Sequence, residues 1–234
     1  MTRVTELDRV ADVSPPNAAQ LVITPRTTLK RLPERGRYER AEIDAILDEA
    51  LTCHLGFVHE GQPLVVPTIH ARHGDEVLIH GSVASRMLRT LASGISVCLT
   101  VTIIDGLVVA RSGFHSSMNY RSVMLMGVPR LLESDAERAA ALDAIVEHVV
   151  PGRVAELRAP TRAELRQTNV FALPIHEGSA KVRTGGPQDD PEDIEGDAWA
   201  GVVPLRLVAG SPIDSDDLRC GIVVAPSAAT YRRL

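Results

Sequence analysis

Three short segments bring together side chains that can hold an anion. The first, Gly81-Ser82-Val83-Ala84-Ser85-Arg86, puts small residues between a strand end and a helix start. The free N–H groups of a helix start, two hydroxyls and a guanidinium suit a phosphate. An ordinary serine-capped turn accounts for the same residues. The second, Ser112 to Ser122, follows an apolar run and is dense in polar side chains. Arg121 and Ser122 can bind phosphate there, and Asn119 and Tyr120 can hydrogen-bond or stack. A solvated loop with a structural arginine is the alternative. The third, Ser179 to Pro187, places Lys181 and Arg183 on one face if the chain is extended. Two cations on one face suit an anion, or balance the acidic loop that follows. Trp199, the single tryptophan, reads as core, interface or a wall against an aromatic ring. The histidines show no metal-ligand spacing, so no metal site is expected, and His148 reads as a helix-end dipole partner.

These segments need elements to position them. Glu39 to Leu51 has apolar residues at helical spacing. Strand patterns follow at Cys53–His59, Leu64–Ala71 and Glu76–His80, with Pro63 and Pro67 flanking or bulging the second. A short helix, Arg86 to Ala92, comes next. Ser96–Ile104 and Leu107–Ser112 read as a hairpin turned by Asp105-Gly106. Ser122–Leu132 is a further strand, bent at Gly127 and Pro129. Capping boxes at Ser134–Glu137 and Thr161–Glu164 open two helices. Val170–Ile175 is one more strand. Strands joined by short turns, without regular strand–helix alternation, argue against a doubly wound parallel sheet. The expectation is a mainly β (α+β) fold, an antiparallel barrel with peripheral helices.

Composition narrows the function. A net charge of −5 and an aromatic content of 3% argue against a nucleic-acid binder. The three cysteines, widely spaced beside apolar residues, read as buried free thiols in a reducing compartment. Neither a secretory signal nor a membrane span is expected, so the reading is cytoplasmic.

In this order, the segments resemble the pyridoxamine 5′-phosphate oxidase-related, FMN-binding split-barrel family. The likeness is to its flavin-nucleotide-binding branch, related to the 5-nitroimidazole resistance proteins. It runs from about Thr27 to about Leu205 and is carried by Ile79-His80-Gly81-Ser82 through Leu91, His115 through Ser122, Ser179 through Gly185, and Trp199 through Leu205. The resemblance implies an antiparallel split β-barrel that forms a homodimer, with FMN in clefts at the interface. It implies that the flavin ring lies along Val66-Pro67-Thr68-Ile69. Ser82, Ser85 and Arg86 match the phosphate-holding positions, and Asn119, Tyr120, Arg121 and Ser122 a second binding segment. Lys181, Arg183 and Trp199 would complete the pocket. His80 matches a histidine near the flavin in the nitroimidazole resistance proteins. The expected organisation is a tail over 1–21, a barrel domain over 22–178 and an extension over 179–234. The expected activity is electron transfer from a reduced nicotinamide or deazaflavin, through FMN, to a small acceptor. The alternatives are a flavin or haem carrier, a redox sensor, or a deazaflavin-binding member. The C-terminal arginine and histidine grip of vitamin B6 oxidases is not found, so that oxidation is not expected.

Overall fold

The computed structural model describes residues 19–232; the expected tail over 1–21 lies almost wholly outside them. In chain order the main elements are β1 (Gly36–Arg37), α1 (Arg40–Glu49), β2 (Thr52–His59), β3 (Gln62–His73), β4 (Glu76–Ser82), α2 (Arg86–Leu91) and β5 (Val97–Val109). Then follow β6 (Ser117–Gly127), β7 (Arg130–Leu131), α3 (Asp135–Val149), α4 (Arg162–Gln167), β8 (Thr168–Pro174) and β9 (Glu177–Arg183). The chain closes with α5 (Pro191–Ile194), β10 (Gly201–Pro204) and α6 (Pro226–Ala229). The strands form one antiparallel sheet in the order β1-β9-β6-β5-β2-β3-β4-β8-β7, with β10 beside β5. This mostly antiparallel sheet with peripheral helices is the expected split barrel.

Two helices plug the barrel. Ile43, Ile46 and Leu47 of α1 and Met87, Leu88 and Leu91 of α2 are buried with Leu55, Val77, Ile79, Leu99, Val123, Leu125 and Phe171. A second core lies outside, where Ala141 and Ile145 of α3 pack on Ala71, Leu78, Val170 and Ala172. Successive residues of β4 and β8 therefore serve opposite cores, which explains why both read as unbroken apolar runs. The C-terminal end of α1 is tied down by imidazoles: His70 Nε2 lies 3.0 Å from Leu47 O and His148 Nε2 2.8 Å from Ala50 O. The dipole partner expected of His148 is thus the end of another helix.

The expected hairpin at Asp105-Gly106 is not one. Val97–Val109 is a single 13-residue strand, and Asp105 is a bulge in its register with β6. The reason is that Gly106–Val108 are paired on both sides, by β6 and by β10. A Cβ on Gly106 would meet Val203 O at 2.9 Å, so glycine serves the close approach of β10 rather than a turn. The reversal comes after Ala110, and Ser117–Arg121, expected as loop before a strand at Ser122, lie inside β6. Strand β9 crosses the expected boundary at 178/179, with Ala180 in the barrel core. Of the cysteines only Cys53 is buried; Cys98 is half-buried and Cys220 exposed. Burial pushes the Cys53 thiol up to about 12. Among the described residues no helix is long and apolar enough to cross a membrane.

Candidate functional site

Register places an opening in the barrel wall. Strand β3 changes partner along its length: Gln62–Ile69 pair with β2, and His70–His73 pair with β4. Strand β4 leaves β3 at the His70–Ile79 pair, and His80–Ser82 pair only with β8. A cleft therefore opens with Val66–Ile69 on one wall and His80–Ser82 on the other, and the chain leads on to Ser85 and Arg86. Pro67 is tolerated mid-strand because this edge of β3 has no ladder. The same open edge leaves backbone N–H and C=O groups for a ligand.

The second wall ends in a small cradle. Ser82 Oγ accepts from Ala84 N–H at 3.2 Å. Ser85 sits at the N-cap of α2 without a side-chain cap bond, and Arg86 follows as an exposed first residue. Among the described residues Arg86 has no ion-pair partner. α2 is anchored beneath: Leu88 packs under Gly81, where a Cβ would meet it at 3.1 Å, and Thr90 Oγ1 lies 3.0 Å from His59 Nδ1 on β2. His80 is half-buried with a buried Nδ1 that has no hydrogen-bond partner. Burial lowers its pKa, so the ring is neutral. Pro67 and Ile69 are exposed, whereas Val66 and Thr68 are half-buried. These residues fit a flavin nucleotide: an open strand edge for the ring and a hydroxyl–guanidinium cradle for a phosphate.

The other expected residues lie elsewhere in the chain. Arg121 is already occupied. Its Nη2 donates to Glu49 Oε1 at 2.7 Å and to Asp105 Oδ1 at 2.7 Å, its Nε to Asp105 Oδ2 at 3.0 Å, and its Nη1 to Glu49 Oε2. These carboxylates raise its pKa. A phosphate at Arg121 would have to displace one of them. The clamp floors a cavity of about 920 Å³ lined also by Thr52, Thr102, Leu207 and Tyr231. Glu49 and Asp105 were not anticipated: one ends a helix and the other looked like a turn.

Asn119 and Arg183 are buried together. Arg183 Nη1 donates to Asn119 Oδ1 at 2.5 Å, and Asn119 Nδ2 to Gly185 O at 3.0 Å. Tyr120 is directly across from Arg183, and Ser122 from Lys181, whose carbonyl accepts from Ser122 Oγ at 3.3 Å. Lys181 and Arg183 do share a face of β9. Trp199 is 65% exposed, so it is not core. At the surface, His115, Asp190 and Asp193 hold ligand-type atoms within 4.8 Å of one another. Sequence spacing could not show that, since His115 and Asp190 are 75 positions apart.

An antiparallel barrel, split where β3 changes partner and plugged by two helices, defines a split-barrel protein. The pyridoxamine 5′-phosphate oxidase sequence profile matches residues 39–182, and the chain belongs to that family. Among solved structures it is similar to the flavocytochrome Anf3 from Azotobacter vinelandii, at 38% identity and a TM-score of 0.84, covering 89% of this chain and 97% of that one. It is also similar to an FAD- and haem-binding protein from Mycobacterium smegmatis, at 42% identity and a TM-score of 0.80, covering 82% and 95%. A candidate 5-nitroimidazole antibiotic resistance protein from Bacteroides thetaiotaomicron shares the fold, at 24% identity and a TM-score of 0.54, covering 63% and 86%. No curated protein matches the chain.

Proposed function

We propose that the chain binds a flavin nucleotide in the cleft between β3 and β4, through the FMN part of the molecule. The observation that carries this is the partner switch of β3, which leaves Val66–Ile69 paired with β2 on one side and open on the side of the Ser82–Ser85–Arg86 cradle. The FAD- and haem-binding relative at 42% identity supports it. A bound flavin supplies two-electron chemistry at its ring. The chain's own residues bind and orient. Backbone groups of Val66–Ile69 hold the ring's polar edge, Ser82, Ser85 and Arg86 neutralise the phosphate, and Pro67 and Ile69 exclude water. Electrons pass from a reduced nicotinamide or deazaflavin to a small acceptor. Two copies pair in the cytoplasm, and Lys181, Arg183 and Trp199 of one copy complete the pocket of the other.

A second reading adds haem, as in the FAD- and haem-binding relative. His80 favours it: a neutral imidazole with an unpartnered ring nitrogen beside the cleft is the form that ligates iron.

The test is the visible spectrum of freshly purified protein and the mass of the released ligand. A yellow protein releasing FMN or FAD is expected. Arg86→Ala with Ser82→Ala should lose most of the flavin and stay folded. A colourless protein that takes up neither flavin would overturn the proposal. Haem would appear as a Soret band that His80→Ala shifts or abolishes.

A further inference from the structure

Arg183 is 8% exposed, yet no carboxylate faces it among the described residues. Its fork meets only neutral oxygens: Asn119 Oδ1, Gly185 O at 3.4 Å and Gly186 O at 3.2 Å. Burying a cation without a counter-charge is unfavourable even when its N–H groups are met. Further positive charge gathers around it. Lys181 shares its face of β9, and Gly36, which follows Arg35, is paired with Lys181. Burial lowers the Arg183 pKa, and Arg35 adds to that.

The adjacent backbone is bare. Arg183 draws the carbonyls of Gly185 and Gly186 inward. On the outer side a Cβ at either glycine would meet nothing within 4 Å. Gly185 has φ +95°, a conformation that side chains rarely adopt. Gly186 has no such backbone need. Its missing side chain leaves room for a ligand to approach the main chain. Successive N–H groups beside a cation form an anion-holding concavity.

We infer that the Thr184-Gly185-Gly186 turn, with Arg183 behind it and Lys181 and Arg35 at its side, holds the phosphate oxygens of a nucleotide. Two nucleotides carry that chemistry here, a dinucleotide flavin and a reduced pyridine nucleotide. Only the first source rests on the flavin reading. In that case the site takes the diphosphate that FAD has and FMN lacks.

The full chain is titrated calorimetrically with inorganic pyrophosphate, FMN, FAD and a reduced pyridine nucleotide. Wild type should bind pyrophosphate. Gly186→Val, which adds bulk without removing charge, should weaken it at least tenfold, as should Lys181→Ala with Arg35→Ala. Arg158→Ala, a surface cation on another element, should leave it unchanged. Arg183→Ala is avoided, because a buried fork that ties a turn can fail to fold when cut. If Gly186→Val weakens FAD but spares FMN, the source is the dinucleotide flavin. If it spares both flavins and weakens the pyridine nucleotide, the source is the latter. No pyrophosphate binding by wild type, or equal binding by all variants, overturns the inference. Pyrophosphate binding in a protein that refuses both flavins would sink the flavin reading and keep this one.

Discussion

Glu49, the last residue of α1, forms a bidentate pair with Arg121 in the middle of β6, and so fastens the plug helix to the barrel wall. Both side chains are less than a third exposed. Glu49→Gln keeps the shape and removes the charge. It should cost about 1–3 kcal/mol, the range for a partly buried charged bond left unmet. Urea unfolding at neutral pH measures it, and a change below a few tenths would show that Asp105 alone suffices.

His80 makes stability depend on pH. Burial depresses its folded pKa below the ordinary 6.5. The unfolded chain therefore binds the proton more readily. The neutral ring is tolerated in full above about pH 6.5, and stability falls as pH drops through and below that value. Denaturant midpoints between pH 7.5 and 5 should show this slope, and His80→Phe should flatten it. An identical slope in the variant would assign it to another group.

Gly178, the second residue of β9, sits where the chain has no spare room. A Cβ there would meet Met124 O at 2.5 Å and a Leu125 methyl at 2.7 Å. The first contact is backbone in the neighbouring strand and cannot swing aside. Gly178→Ala should destabilise by about 1–3 kcal/mol or more, as overpacking does. Thermal unfolding reads it; an unchanged midpoint would mean that β6 and β9 can separate at no cost.

Glu164 closes a capping box with Thr161 at the start of α4. The Arg158 guanidinium first, then the Thr161 backbone and hydroxyl, hold its carboxyl down to about 2. Its folded pKa lies below its ordinary 4.5, so its contribution is complete above about pH 4.5 and is lost as pH falls toward 2. Thr161→Ala should raise the Glu164 pKa, followed by carboxyl chemical shifts across that window. No movement would leave Arg158 and the backbone N–H of residue 161 as the causes.

Much of this was written in local pattern. The helix at 40–49 and the helices capped by Ser134 and Thr161 follow from periodicity and caps, and each starts within a residue of its expected position. The strand end at Ser82, the cap at Ser85 and the helix start at Arg86 were legible because they are neighbours in sequence. What local pattern could not show was pairing. Asp105-Gly106 looks the same whether it turns a hairpin or relieves a crowded strand; only β10, nearly a hundred residues on, makes it the second. Arg121 looked free because its partners, Glu49 and Asp105, come from α1 and the bulge in β5. The cleft itself is a register event, visible only once β3 is seen to exchange β2 for β4 at His70.

Because β4 and β8 give alternate residues to the barrel and to α3, that helix cannot be trimmed away as an ornament. Stripped of it, Leu78, Val170 and Ala172 would form an oily stripe on the back of the strands that build one wall of the cleft. A truncated protein would then stick to its own kind before its chemistry could be assayed.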